Sequence, residues 1–479
     1  MTYINRRGFL GSAASIVGTT SLLSAIGSGN AWAQTANDYK AIVCIFLAGG
    51  LDSADTVLPY DQASYDAFRN SRQGIFADYE SFEGGASGSS RSRENLLPLN
   101  VQNSVDFGGR QFALPRQMSE LRDIFNNGNG AIIGNVGPII RPTTRNEFES
   151  RSVPLPQRLF SHNDQQSTWQ SLSIEGAQLG WGGRMSDAAL TLTGQDAVFS
   201  SISVSGNPLF LAGENTRPFM IDSNGVSRLS ATTRREAFGN ARDRDALRQR
   251  MAEYFENLAT TNSSLLDQDV VSASNRAIEN NERYLLASES IPTLPTGGAF
   301  TFPDTRLGGQ LRTIAETIAN HGALGVNRQV LFAQIGGFDT HSNSARDLPS
   351  LQRDISQSIS AFLNVLEAFG MQDEVVTFTA SEFGRTIIEN GDGTDHGWGG
   401  HQLVFGGPVN GGRIYGDIPS FDLGQQSYTA RSGRLIPTVA VDQFAATLSR
   451  WFGLPEDQIN SVLPNLSNFS EQDVGFLSV

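Results

Sequence analysis

Residues 40–52 read KAIVCIFLAGGLD, an unbroken apolar run from Lys40 to Ala48 that stops at Gly49-Gly50 and delivers a carboxylate, Asp52. An apolar run without polar alternation is what a strand buried on both faces requires, and such strands occur in parallel sheets covered by helices. The same word recurs along the chain. QVLFAQIGG (329–337) leads to Asp339, EVVTFTA (374–380) leads to Ser381-Glu382, and AIIGNVG (131–137) and HQLVFGG (401–407) are further apolar strands. Helical patterns separate them, at 115–127 (PRQMSELRDIFNN), at 306–320, and at 349–369, where Ile355, Ile359, Phe362, Val365 and Leu366 form one stripe. Strand–helix–strand alternation predicts an α/β fold, with a mostly parallel central sheet sandwiched by helices. Ligands in such sheets gather at the carboxyl ends of the strands, where Asp52, Asp339 and Glu382 all fall.

Three segments depart from that rhythm. EGGASGSSRSREN (83–95) reads as a surface loop. Residues 198–222 alternate enough to suggest an antiparallel β side element. Residues 231–290 are rich in Arg, Glu, Ala, Asn and Leu at helical spacing and read as an inserted helical cap with a solvated outer face.

Carboxylates and imidazoles on Gly-rich loops suit a divalent cation. Carboxylates supply hard oxygens, neutral imidazole supplies nitrogen, and glycine lets the backbone wrap closely. GGFDTH holds Asp339 and His341, two residues apart and so on one side of an extended loop. GTDHGWGGH holds Asp395, His396 and His401, and Glu382 lies between the two words. The plainer reading makes Asp395 a turn cap and His401 a half-buried structural histidine. SHND (161–164) offers Ser161 as a nucleophile and His162 as a ligand or anion donor. Alternatively Ser161 is the N-cap of a helix with Asp164 in its first turn. Arg385 in SEFGRT, with Arg184 in GWGGRMSD, either clamps an anion or forms structural ion pairs. His321, at a helix end, stays outside the site.

Composition excludes other chemistries. The chain has one cysteine, Cys44 in the first strand, so it makes no intrachain disulfide, zinc finger or iron–sulfur cluster. Lys40 is the only lysine, which removes phosphate loops of the Gly-Lys-Ser/Thr type and lysine Schiff bases. At the N-terminus, Arg6-Arg7 precedes a short apolar run interrupted by Gly, Ser and Thr, then Ala31-Trp32-Ala33. This is the pattern of a twin-arginine signal peptide over residues 1–33, recognised by the twin-arginine export machinery and removed. The expectation is a periplasmic or secreted protein, residues 34–479, with no stable membrane anchor. Losing Arg6 and Arg7 takes the formal net charge from −14 to −16, which argues against nucleic acid as a partner.

The twin-arginine leader and the words FLAGGLDSADTVLPY, AIIGNVGP, LFSHNDQQSTWQ, GWGGRMSD, AQIGGFDTHSN, FTASEFGRT and NGDGTDHGWGGHQLVFGG, in this order, resemble an exported bacterial family of unknown function, numbered 1501. That family looks like a distant branch of the alkaline-phosphatase-like superfamily of phosphatases, sulfatases and phosphosugar mutases. The resemblance implies metals at strand ends around a Ser, Thr or modified Cys nucleophile. By the resemblance, Asp52 matches a first-strand ligand and Ser161 the nucleophile position. Asp339 with His341 resembles the Asp/His pair of one metal site, and His396 the last His ligand. The chain departs from the pattern at Ser381-Glu382-Phe383, where an Asp-His pair is usual. Phe383 cannot replace an imidazole, so the resemblance implies a metal site that is weakened, reduced to one cation rather than two, or lost; zinc, manganese and calcium are the candidates. No Cys-x-Pro-x-Arg word occurs, which argues against a formylglycine sulfatase. The expected function is a metal-dependent hydrolase acting on small anionic phosphate or sulfate esters, with metal ligands Asp52, Asp339, His341, Glu382, Asp395, His396 and His401. Ser161, His162 and Arg385 would be catalytic. The alternative is a non-catalytic binding or assembly protein that keeps the scaffold.

Overall fold

A computed structural model describes residues 39–478, except 224, 227–245, 248, 251–252, 255–263, 291–292, 426 and 430–431. The expected signal peptide lies outside the described residues, as does much of the expected cap. Of the cap, the longest described piece is helix Leu265–Ser288. No described helix is long and apolar enough to cross a membrane.

Strand β1 is Lys40–Leu47, and its neighbours on either side are β5 (Arg328–Ile335) and β6 (Val375–Ala380), both parallel to it. The sheet extends from β6 through β9 (Gly400–Phe405) to β2 (Gly130–Gly137), which pairs with β10 (Arg413–Gly416) and β11 (Val439–Ala440). Beyond β5 come β3 (Ser201–Ser203) and β4 (Phe219–Met220). Within this sheet only β9 runs against the rest. The 198–222 segment thus joins the main sheet in parallel, correcting the antiparallel side element expected from its alternation. Alternation along such short strands reports which face is buried, and strand direction is set by the connections. A separate hairpin, β7 (Arg385–Glu389) with β8 (Thr394–His396), stands after β6.

The residues of β1 alternate between two cores, as a strand buried on both faces must. Ala41, Val43, Ile45 and Leu47 pack with the helices Arg306–Ala319 and Ser344–Ala368. Ile42, Cys44 and Phe46 pack against Trp169, Trp181, Phe444 and Trp451, on the helices His162–Ser171, Trp181–Thr193 and Val441–Phe452. The helix expected at 349–369 starts five residues earlier, because Asp392 of the β7–β8 turn accepts the Asn343 N–H (2.9 Å) at its N-terminus. That cap arrives from distant sequence, so local pattern could not place it.

Phe378 on β6 sits among four aromatic side chains, Trp169, Trp181, Phe210 and Phe444. Truncating it should leave a cavity that rigid neighbours cannot fill. Phe378→Ala is expected to cost about 3–5 kcal/mol in urea unfolding. Phe82→Ala, at a side chain 58% exposed, should stay within about 0.5 kcal/mol.

Candidate metal centre

Adjacent parallel strands β5, β1 and β6 bring three loops to one rim, Gly336–His341, Gly49–Asp52 and Ser381–Glu382. The loops are tied to one another. Gly49 N donates to Glu382 Oε1 (2.9 Å) and Leu51 N to Ser381 Oγ (2.9 Å). Gly49 has φ +123°, and a Cβ there would lie 2.4 Å from Asp339 N, so the approach of these loops requires glycine.

Around this rim, imidazole and carboxylate atoms converge. His341 Nε2 and His396 Nε2 face each other at 2.8 Å, and Asp339 Oδ1 lies 3.3 Å from both. His162 Nε2 is 3.5 Å from Asp339 Oδ2, and it is buried without a hydrogen-bond partner. Ligand atoms of His162, Asp339 and His396 all lie within 4.8 Å of one another, so the group could hold a metal ion. Four ligands at 2.0–2.1 Å around a tetrahedral cation are separated by about 3.3 Å, the distance of Asp339 Oδ1 from His341 and His396 Nε2, while the two imidazole nitrogens stand closer at 2.8 Å.

Each histidine's other nitrogen has a partner that orients the ring. His162 Nδ1 meets Glu382 Oε1 at 2.8 Å, His396 Nδ1 meets the Phe160 carbonyl at 2.7 Å, and His341 Nδ1 lies 3.4 Å from Asp395 Oδ1. The hydrogen-bond acceptors at Nδ1 of His162 and His396 place the proton there and leave their Nε2 lone pairs facing the cluster. Glu382 also accepts from Gln166 Nε2 (2.9 Å). Burial pushes Glu382 up, but the hydrogen bonds from His162, Gln166 and Gly49 outweigh it and keep the carboxylate ionised. The Glu382 bond raises His162, while burial lowers His396. For Asp339, burial is overcome by the Arg385 guanidinium, which holds the carboxyl below its ordinary range.

The other expected residues have different surroundings. Arg385 is buried and its nitrogens bond the carbonyls of Gly49, Gly50, Phe338 and Thr394 together with Asp339 Oδ1. Buried among these acceptors, it directs its charge at Asp339, which it positions. Arg184 likewise donates to the Ser171, Leu179 and Val462 carbonyls. The Asp52 carboxylate is taken up bidentately by buried Arg72 (2.6 and 3.0 Å) and does not join the group. Glu382 and Asp395 stand behind imidazoles instead of beside them. His401 is buried, and its Nδ1 accepts the Asn135 N–H at 3.0 Å, apart from the cluster. Ser161 occupies the N-cap position, yet its hydroxyl accepts no helix N–H and donates to Asp164 Oδ2 at 2.6 Å. Phe383, where a second histidine was expected from the resemblance, stacks on His162 and His396 at ring distances of 4.9 and 4.7 Å. It walls the single cluster.

Sequence reading missed Phe160, Gln166, Arg72 and Arg434. Their roles rest on backbone carbonyls or tertiary pairing, for which no motif exists.

The family model of a protein of unknown function, DUF1501, matches residues 39–461. The chain belongs to the DUF1501 family. No curated protein matches it. Among solved structures it is similar to the crystal structure of Ps i-CgsB, at 9% identity and TM-score 0.35, covering 90% of this chain and 77% of that one. It is also similar to Ps i-CgsB in complex with k-i-k-neocarrahexaose, at 9% identity and TM-score 0.31, covering 88% and 74%. Likeness at that level says nothing of chemistry in this DUF1501 member.

Two outcomes are expected from these placements. Asp52→Asn leaves buried Arg72 without its counter-charge and should cost about 3 kcal/mol in chemical unfolding. The metal content of the folded protein should not change; a loss would make Asp52 a ligand. Burial lowers His401 to about 4, below the unfolded value of about 6.5. As pH falls, the unfolded chain therefore takes up the proton first. The contribution of the neutral ring is intact above pH 6.5 and is lost progressively towards pH 4. Wild type minus His401→Gln stability should shrink by about 3 kcal/mol from pH 7 to 4 in urea titrations. Parallel curves would contradict this reading.

Proposed function

We propose that this DUF1501 protein is an exported, single-cation hydrolase of small phosphate or sulfate esters. One observation carries the reading. Ligand atoms of His162, Asp339 and His396 lie within 4.8 Å of one another, His341 Nε2 adjoins His396 Nε2 at 2.8 Å, and His162 Nε2 has no hydrogen-bond partner. Three nitrogens and one carboxylate suit zinc first and manganese second. Calcium, which takes oxygen ligands, fits poorly.

A bound divalent cation would supply Lewis-acid stabilisation of the charge developing on a transferred phosphoryl or sulfuryl group. The protein's own groups do the positioning. Arg385 keeps Asp339 ionised, Glu382 orients His162, and Asp395 and the Phe160 carbonyl orient His341 and His396. Ser161, adjacent to His162, offers a hydroxyl oxygen whose proton is directed at Asp164, so it or a water is the acceptor of the group. The twin-arginine pattern at Arg6-Arg7 supports export to the periplasm or beyond after folding. The engagement of both Arg385 and Arg184 with backbone carbonyls favours the second reading, a non-catalytic binding protein, since their hydrogen bonds serve the fold.

Elemental analysis of the purified chain should find about one equivalent of zinc or manganese. His341→Ala and His396→Ala should each lower turnover of a phosphomonoester, diester and sulfate-ester panel by at least 100-fold with unchanged circular dichroism. Metal binding without turnover of any ester would leave the binding protein. Wild type with no bound cation would end the metal reading.

A further inference from the structure

The geometry points to Arg434 as a positioning residue that fixes the His396 ring through the strained Phe160 peptide. This inference rests on the metal reading for its consequence, though not for its geometry. Phe160 has φ +73°, a left-handed conformation that a bulky aromatic residue adopts only when its surroundings impose it. Its carbonyl is thereby aimed at His396 Nδ1, at 2.7 Å. Three contacts impose the conformation, one of them the hydrogen bond that the Phe160 N–H donates to Gln165 Oε1. The Phe160 ring lies beneath the Arg434 guanidinium, 4.6 Å from its centre. With Leu155 and Leu159 it also packs on the cluster of Trp398, Ile139 and Ile436. Arg434 Nε then donates to the His396 carbonyl at 2.7 Å. One side chain therefore grips His396 at its backbone and, through the Phe160 ring, the acceptor of its imidazole proton. Because Nδ1–H is committed to Phe160, Nε2 carries the lone pair that faces Asp339 and His341.

The test compares full-length wild type, Arg434→Met, His396→Ala and the double variant. Zinc affinity is measured by competition with a chromogenic chelator, and thermal unfolding shows that each variant folds. Arg434→Met is expected to weaken zinc binding by 10- to 100-fold, the usual effect of losing an outer support of a ligand. In the His396→Ala background the same change should alter affinity by less than about twofold, since the support has nothing left to orient. Equal losses in both backgrounds, or wild-type affinity in Arg434→Met, would overturn the proposal. Nitrogen-15 NMR of the metal-free proteins provides a readout independent of the cation. Wild-type His396 should be the Nδ1–H tautomer and Arg434→Met a mixture. If wild type binds no zinc, the metal reading fails, and the tautomer alone decides the role of Arg434: an unchanged tautomer refutes it.

Discussion

The buried Arg385 guanidinium is the interaction on which the rim depends. It gathers the carbonyls of Gly49, Gly50 and Phe338, which belong to the loops after β1 and β5, and holds Asp339 from the second of these. Those carbonyls end strands whose hydrogen bonding stops there, and buried acceptors left without donors would be costly. A single planar donor satisfies them while adding a positive charge beside the carboxylate that faces the histidines. The same charge that closes the loops keeps Asp339 ionised.

Around that knot, the imidazoles are held from behind. The buried Glu382 carboxylate and the Phe160 carbonyl accept from His162 and His396 Nδ1, and the more exposed Asp395 carboxylate lies 3.4 Å from His341 Nδ1. Two of these rings are shifted in opposite directions. His162 is pushed towards the protonated form by Glu382, and His396 away from it by burial. Phe383 fills the place beside the rings where another ligand would be needed for a second cation, and Gly50 makes room for it.

The alternation of apolar strands and helices was legible because burial on two faces leaves no polar residue to interrupt a strand. Whereas His396 arrives on a separate hairpin, the placement of Asp339 and Glu382 near one rim followed from the rule that parallel strands end together. Asp52 shared that position and went elsewhere, since Arg72, twenty residues on in a separate helical segment, lay within reach of its carboxylate. Arg385 looked like an anion clamp because its demand for carbonyls is invisible until the loops meet. His401 stood near His396 in sequence, but β9 runs antiparallel and carries it into the sheet.

By itself the sequence determined the layered α/β architecture, the family and the pool of candidate ligands, because hydrophobic periodicity and local glycine words act over short distances. Only the tertiary structure decided which members of that pool face a common point and which stand behind them. That choice turns on pairings between groups hundreds of residues apart, such as His162 with Glu382 and Phe160 with His396. Their strength comes from shared burial and fixed direction, and neither is written in any one segment of chain.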